Sequence, residues 1–214
     1  MSKHSHHSLR TRLHFLSRFI MKPHSVGSIW PSSQHLAKAM IEDIDFQPGD
    51  VVIEYGPGTG PFTHLLRQHL PQGIRYLGIE FDLHLCKALR HRFPEMLFHH
   101  GSAEETIELL KHYNLGPARL IISGLPFANM PASLQERILN ATQQALRPDG
   151  LFRTFTYLCS SISPRARHFQ KRVADHFQQE KNHRIVLKNF PPARVLSYRS
   201  RKQVVREQVT GNIT

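Results

Sequence analysis

The apolar positions of this chain change period along its length. Between residues 8 and 22 they recur at helical spacing, with basic and polar residues on the opposite side, which predicts an amphipathic helix. A second helix is predicted to follow Ser32 or Ser33, because Leu36, Met40 and Ile44 repeat at the same spacing. The seven His-rich residues before the first helix are predicted to be disordered.

From residue 51 onward, short apolar runs alternate with helical patterns. The predicted strands are residues 51–55, 74–80, 96–99, 118–123, 151–158, 184–188 and 195–198. The predicted helices between them are residues 61–70, 83–93, 104–113, 131–146 and 164–179. This alternation predicts an α/β fold, a doubly wound, Rossmann-like parallel sheet with helices on both faces. Ligands of such sheets bind at the carboxyl ends of the strands.

The predicted organisation has four parts. Residues 1–7 are the disordered terminus, and residues 8–45 form the amphipathic helix and a second helix that caps the site. Residues 46–200 form the α/β domain, and residues 201–214 form a basic tail. A chain of 214 residues suffices for one sizeable core.

The positive charge is concentrated at the two ends. The net charge is +12, with +6 in residues 1–41, −3 in residues 42–163 and +9 in residues 164–214. This distribution favours an anionic partner that meets the ends, either a nucleic acid backbone or an anionic membrane surface. The sequence contains no apolar run that would span a bilayer and no signal peptide, and two distant cysteines form no disulfide framework or metal site. A cytosolic or peripheral protein without a metal is therefore expected.

The most informative motif follows the first predicted strand. Glu54, Gly56, Gly58 and Gly60 alternate with other residues, and Pro61 suits the first turn of a helix. This spacing matches neither the dinucleotide fingerprint nor the phosphate-binding loop. It resembles the Glu-x-Gly-x-Gly-x-Gly loop of class I methyltransferases that bind S-adenosylmethionine. The resemblance implies that the glycines lie under the ligand and that Glu54 helps to hold its methionine amino end.

Other predicted cofactor contacts follow the next strands. Glu80 ends the second strand, where a carboxylate can accept both ribose hydroxyls, and Phe81 offers an apolar face to a purine. The run from Gly101 resembles the Gly-Asp-Ala element of this class, with Ser102 at the usual aspartate position. By this resemblance Ala103 borders the adenine, and either Ser102 or Glu104 replaces the aspartate.

A further loop resembles the acceptor element of amino methyltransferases, which reads Asn/Asp-Pro/Leu-Pro-Tyr/Phe. Here it reads Ser123, Gly124, Leu125, Pro126, Phe127, with glycine at the Asn/Asp position. Ser123 is also expected to contact the cofactor. In those enzymes the loop accepts hydrogen bonds from the target nitrogen. A planar base nitrogen needs a side-chain acceptor more than a flexible primary amine does, so Gly124 argues against a nucleobase. Phe127 would supply an aromatic face for the cationic product.

Five features in order make the resemblance more specific: the basic N-terminal helix and residues 27–33, 123–127, 155–157 and 189–199. Over about residues 9–200 the chain is similar to the membrane-associating bacterial phospholipid N-methyltransferases. That family methylates phosphatidylethanolamine stepwise toward phosphatidylcholine at the membrane surface, and its N-terminal helix binds the membrane. The resemblance implies a peripheral protein at the inner face of the cell membrane. A monomer is expected.

The resemblance assigns residues to three further roles. Leu125, Phe127 and Tyr157 are expected to meet the lipid amine, with Tyr157 as the candidate base. The candidate phosphate contacts are Arg153, Tyr198 and Arg199. The predicted membrane contacts are Arg10, Arg12, Leu13, Leu16, Arg18, Phe19, Ile20 and Lys22.

Two alternatives stay open. An rRNA adenine dimethyltransferase shares the glycine loop, a Leu-Pro-aromatic element and a basic surface; Gly124 and the lack of a separate C-terminal helical domain count against it. A non-catalytic basic module that binds membrane or nucleic acid would keep only the fold, and the intact Glu54, Glu80 and three glycines count against that.

Overall fold

The structure is a computed structural model that describes residues 32–158, 164–180, 184–189 and 191–200. The predicted terminus 1–7, the amphipathic helix with its eight membrane contacts and the tail 201–214 lie outside these residues. The described helices are α1 (Ser32–Ile41), α2 (Pro61–His69), α3 (Leu83–Arg92), α4 (Thr106–His112), α5 (Ala132–Ala145) and α6 (Pro164–His176). Short 3-10 helices cover Ala103–Glu105 and Phe127–Asn129.

The strands form one mixed sheet. They are β1 (Val51–Tyr55), β2 (Arg75–Glu80), β3 (Leu97–His100), β4 (Ala118–Ser123), β5 (Leu146–Tyr157), β6 (Phe177–Gln179), β7 (Arg184–Val186) and β8 (Ala193–Ser200). Their order is β3-β2-β1-β4-β5-β8-β6, and β7 also pairs with β8. Neighbouring strands among β1 to β5 are parallel, whereas β8 is antiparallel to β5, β6 and β7.

Helices cover both faces of the sheet, as two adjacent residues of β1 show. Glu54 accepts a hydrogen bond from Thr63 of α2 on one face. The hydroxyl of Tyr55 meets Thr106 of α4 and Thr142 of α5 on the other. Successive side chains of a strand point to opposite faces, so helices pack on both. The predicted doubly wound sheet is confirmed.

The core lies between the helices and β1, which is buried along its whole length. Val52 and Ile53 are fully buried, and each such side chain contributes about 1.5–3 kcal/mol of apolar burial. The largest fully buried side chains are Tyr55, Phe93, Phe98, Phe152, Phe177 and Met40. Burial on both faces explains why the strands read as continuous apolar runs rather than as alternating ones.

Several element boundaries differ from the predictions, and three of these differences have a clear cause or consequence. The sixth helix ends at His176, because Phe177 is buried against Phe152 and starts β6 instead. β7 ends at Val186, and Leu187 and Lys188 form a turn. β5 begins at Leu146, since that residue already pairs with Ala118 of β4. Within the described residues, no helix has the length and apolar character needed to cross a membrane.

Candidate active site

The glycine turn leaves the carboxyl end of β1 and runs into α2. Gly56, Gly58 and Gly60 have φ values of +66°, +62° and +81°, in the left-handed region that favours glycine. A Cβ on Gly56 would lie 2.7 Å from Leu125 Cδ2, and one on Gly60 would lie 2.9 Å from Phe93. A Cβ on Gly58 would meet nothing within 4 Å. Gly58 therefore faces open space, where a ligand can approach the backbone.

Two loops meet at this edge of the sheet. The amide of Gly56 donates to Ile79 O at 2.9 Å, and the amide of Gly124 donates to Tyr55 O at 3.0 Å. A Cβ on Gly124 would lie only 3.4 Å from Gly56 O. The glycine turn and the predicted acceptor loop are thus in direct contact, and a side chain at position 124 would press on the turn.

Glu54 lies beneath the glycine turn with 2% of its surface exposed. Its carboxylate accepts hydrogen bonds from Thr63 Oγ1 at 2.8 Å and from Tyr76 OH at 2.5 Å. Burial raises the pKa of Glu54 to about 7, although the two hydrogen bonds oppose that shift. A cationic group placed near this carboxylate would favour its charged form.

Glu80 links the glycine turn to the loop after β2. One carboxylate oxygen accepts from the amide of Gly58 at 2.8 Å and the other from the amide of Asp82 at 2.9 Å. The side chain is fully buried, and desolvation raises the pKa of Glu80. Asp82 then caps α3 through the amides of His84 and Leu85. Glu80, the predicted ribose acceptor, therefore lies directly beside Gly58, which is the arrangement needed for one ligand to contact both residues.

The remaining predicted cofactor contacts lie at the ends of β2 and β3. Phe81 is half-buried directly after Glu80, and Ala103 is 7% exposed. Ser102 Oγ caps the 3-10 helix by accepting from Glu104 N at 3.5 Å. The carboxylate of Glu104 is paired with Arg137 of α5. Of the two residues predicted to replace the usual aspartate, Ser102 therefore has the less engaged side chain.

The acceptor loop is fixed by its own backbone and by α5. Ser123 is fully buried; its Oγ accepts from Leu125 N at 3.2 Å, and its carbonyl accepts from Thr154 Oγ1 at 3.2 Å. The buried amide of Gln135 donates to Phe127 O at 2.7 Å and to Met130 O at 2.9 Å. These bonds hold Gly124 and Leu125 against the glycine turn.

The prediction that Phe127 offers its ring face to the substrate is corrected by the structure. The ring is 3% exposed and stacks on the ring of Phe169, with the two ring centroids 4.6 Å apart. The ring of Phe152 packs against it in a T-shaped arrangement. The more accessible ring at this edge is that of Tyr157, which is 38% exposed and lies 5.7 Å from Phe155.

The structure does not bring the three predicted phosphate contacts to this edge. Arg153 is 5% exposed and donates to the carbonyls of Met40 and Glu42 at the end of α1. Tyr198 is 4% exposed and packs against Phe152.

Strand direction explains this placement. β8 is antiparallel to β5, so Ala193 pairs with Tyr157 whereas Tyr198 pairs with Phe152. Phe152 lies five residues before Tyr157 on β5, which is about 16 Å along the strand. Arg199 lies one residue further and pairs with Glu180. The described structure therefore places these three residues away from Tyr157, and their predicted phosphate contact remains a prediction without support from this arrangement.

Four residues that support the site were not predicted as site residues: Thr63, Tyr76, Gln135 and Thr154. Tyr76 lies on β2, two register positions before Gly78, which pairs with Glu54 on β1, so strand pairing was a usable signal in the sequence. Gln135 had no such signal, because its partners are backbone carbonyls in a loop. Among the described residues, no group of three or more His, Cys, Asp or Glu side chains is placed to hold a metal ion.

Among proteins of known function, this chain is similar in sequence to a lipid methyltransferase. The chain is 27% identical over 182 residues to an ornithine lipid N-methyltransferase of Singulisphaera acidiphila, which covers 84% of this chain and 91% of that protein. It is 34% identical to a ribosomal RNA small subunit methyltransferase A of a Synechococcus species, but over only 45% of this chain and 32% of that protein. The chain thus spans about a third of the ribosomal relative. No protein-family model matches.

The fold has solved neighbours among methyltransferases. The O-methyltransferase of Bacillus cereus in complex with SAH (S-adenosylhomocysteine) superposes with a TM-score of 0.60 at 15% identity, over 94% of this chain and 93% of that one. The class I methyltransferase fold predicted from the sequence is confirmed, and so is the resemblance to lipid N-methyltransferases. The predicted cofactor agrees with the product bound in that neighbour.

Proposed function

We propose that the chain is an S-adenosylmethionine-dependent N-methyltransferase that acts on the amine of a membrane phospholipid. The substrates are phosphatidylethanolamine and its mono- and dimethyl forms, and the final product is phosphatidylcholine. One observation carries this proposal: Gly124 is packed against the carbonyl of Gly56, so the acceptor loop presents backbone without a side-chain acceptor. The similarity over 91% of a lipid N-methyltransferase supports it.

The residues at the sheet edge fit the cofactor. Gly58 leaves space for the ligand, the Glu80 carboxylate lies beside it for the ribose hydroxyls, and Ser102 and Ala103 follow at the adenine end. Glu54 favours a ligand that carries an ammonium group, because a nearby cation returns the buried carboxyl to its charged form. When bound, S-adenosylmethionine supplies an electrophilic methyl group on a sulfonium.

The acceptor side has to orient a lipid amine and let it lose a proton. The loop from Ser123 to Phe127 is held rigidly by Gln135 and Thr154, which keeps its carbonyls in fixed positions. Positioning of this kind supplies a large part of the rate in a displacement reaction. Tyr157 is the candidate base, since it combines a titratable hydroxyl with an exposed position at the end of β5. Leu125 and the ring of Tyr157 form the apolar wall beside the amine.

A lipid substrate requires contact with the membrane. We assign this contact to the amphipathic helix predicted over residues 8–22, whose cations suit anionic head groups. The protein then works at the inner face of the cell membrane. A Leu16→Asp variant should lose at least about tenfold in binding to anionic vesicles, while its affinity for S-adenosylhomocysteine stays unchanged; unaltered vesicle binding would refute the assignment.

The substrate is tested with labelled S-adenosylmethionine and anionic vesicles that contain phosphatidylethanolamine. Vesicles of the same charge in which phosphatidylcholine replaces phosphatidylethanolamine are the matched control. We expect label in the lipid extract only when the amine is present. Equal labelling of both vesicles, or none of either, would contradict the proposal.

Ornithine lipid is the second candidate substrate. The relative from Singulisphaera acidiphila is an ornithine lipid N-methyltransferase, and ornithine also carries a flexible primary amine. A third set of vesicles with ornithine lipid distinguishes the two, because the preferred lipid will show the higher kcat/KM.

A further inference from the structure

Exposed apolar side chains collect at the outer end of the sheet. Among the described residues, Leu187 is 73% exposed and Ile185 is 48% exposed. Both are at the β7 end, and the third large exposed side chain of this region, Tyr157, belongs to the candidate active site. An isolated exposed leucine needs no explanation, but a group of apolar residues at one edge marks a contact surface.

Strand pairing places these residues at the same edge as the active site. Val186 of β7 and Tyr157 of β5 both pair with Ala193 of β8, so the three residues are level across the sheet. The amide of Leu158 donates to Pro192 O at 2.9 Å, which ties the end of β5 to the turn before β8. Leu187 follows Val186 directly. It therefore projects from the carboxyl edge, about two strand spacings or about 10 Å from Tyr157.

In the part of the chain that the structure describes, the unpaired charges nearest this tip are cationic. Lys188 is exposed next to Leu187, and Arg194 pairs in register with Ile185, whereas Arg184 of β7 forms ion pairs with Glu42 and Asp43. The sequence holds no Asp or Glu between residues 181 and 206, and none between residues 151 and 174. An apolar tip bordered by cations complements an anionic lipid interface, where the apolar groups enter the acyl boundary and the cations meet head groups.

We infer that Ile185, Leu187 and Lys188, here called the β7 tip, form a second membrane contact that inserts into the interface of an anionic bilayer beside the active site. This inference rests on the proposed function and adds the orientation of the enzyme. With the β7 tip in the bilayer, the edge that carries Tyr157 and Gly124 faces the head groups. A lipid amine then reaches the site while its acyl chains stay in the membrane.

The test compares full-length variants in sedimentation with anionic vesicles. Leu187→Asp should lower the partition coefficient at least about tenfold, because burial of a leucine side chain changes partition by about ten- to hundredfold. Leu83→Asp is the matched control. Leu83 is 43% exposed, but it follows β2, five strand spacings or about 24 Å from β7. The inference is overturned if both variants bind as the wild type does, or if both lose binding equally.

The charge is tested in the same assay. Lys188→Glu should weaken binding about fivefold or more at low salt and have little effect at 0.5 M salt, since the cation acts by screened attraction. Lys87→Glu on α3 is the control, because Lys87 is also exposed but its helix follows β2, at the opposite end of the strand order from β7. Equal effects of the two substitutions would show that only net charge matters and would overturn the role of the tip.

A spectroscopic reporter tests insertion directly. In a Trp30→Phe background, which removes the single tryptophan, Leu187→Trp should show blue-shifted emission on anionic vesicles and quenching by brominated acyl chains. An unshifted, unquenched signal with bound protein would place the tip in water and refute the inference.

Failure of the inference can be separated from failure of the proposed function. Leu187→Asp should methylate phosphatidylethanolamine in detergent micelles within about twofold of wild type. If wild type labels no lipid in micelles, the proposed function fails. If it labels lipid and Leu187→Asp still binds vesicles normally, only the inference fails.

Discussion

The hydroxyl of Tyr76 donates a hydrogen bond of 2.5 Å to the carboxylate of Glu54, beneath the glycine turn. Both groups are buried, and Thr63 completes the contact at 2.8 Å. A carboxyl in this position is expensive to ionise in the absence of a cation. The turn that we propose to contact the cofactor is therefore supported by a carboxyl whose charge depends on whether a cation is bound nearby.

Glu54 should make the ligand-free protein less stable as the pH rises. The pKa of Glu54 is raised from 4.5 to about 7 by burial, so the unfolded chain loses this proton first. The protonated Glu54 carboxyl contributes fully to the free energy of unfolding below pH 4.5. About 3 kcal/mol of this contribution is lost between pH 4.5 and 7. Urea denaturation of wild type and Glu54→Gln at pH 5 and pH 8 measures it. The variant should gain relative stability at pH 8. Glu108→Gln, at an exposed site on α4, is the control and should show no such change. If the difference in stability between wild type and Glu54→Gln is the same at pH 5 and pH 8, the raised pKa of Glu54 is contradicted.

Cofactor affinity should show the opposite trend. If the amino end of the ligand meets the ionised form of Glu54, binding requires loss of a proton below pH 7. Calorimetry with S-adenosylhomocysteine should show affinity rising by up to tenfold per pH unit below pH 7 and levelling off above it. Glu54→Gln should bind more weakly and without this dependence. A flat wild-type profile between pH 5.5 and 8 would remove Glu54 from ligand binding.

Gly58→Ala should separate backbone strain from ligand contact. Gly58 and Gly49 both have positive φ, +62° and +90°, and a Cβ on either would meet nothing within 4 Å. Both alanine variants should therefore lose about 1 kcal/mol of stability. Only Gly58 lies at the site, so only Gly58→Ala should weaken S-adenosylhomocysteine binding, by about tenfold or more. Similar ligand affinities for the two variants would contradict the assignment of the turn.

Gln135 should be needed to hold the acceptor loop. Replacing it with leucine leaves two loop carbonyls, those of Phe127 and Met130, without their donor, at a cost of about 1–3 kcal/mol. Methyl transfer should fall more than cofactor binding, because most of the proposed cofactor contacts lie in other loops. Gln144→Leu, at an exposed position of the same helix, is the control. Full turnover of Gln135→Leu would show that the loop is held by other contacts.

The sequence predicted the parts of the site that depend on local pattern. Gly56, Gly58 and Gly60 need positive φ, and a β-branched strand before them and Pro61 after them place the turn without tertiary information. Glu80 was predicted because it ends a strand that is parallel to the first one, and parallel strands bring their carboxyl ends together.

The errors come from long-range packing. Phe127 was assigned to the substrate, but Phe169 of α6, forty-two positions later, covers its ring. Arg199 and Tyr198 were assigned by motif order, which cannot show that β8 runs antiparallel and carries them away from Tyr157. Phe177 ended the sixth helix early because a buried aromatic contact outweighed helical periodicity. In each case the deciding partner was distant in sequence.

The acceptor is the central claim, and one competition measures it. Wild-type protein, labelled S-adenosylmethionine, anionic phosphatidylethanolamine vesicles and immature ribosomal subunits are combined in one reaction, and the label is counted in the lipid extract and in the RNA. We expect the label in lipid, as mono-, di- or trimethylated head group, and none above background in RNA. Label in RNA with none in lipid would contradict the account.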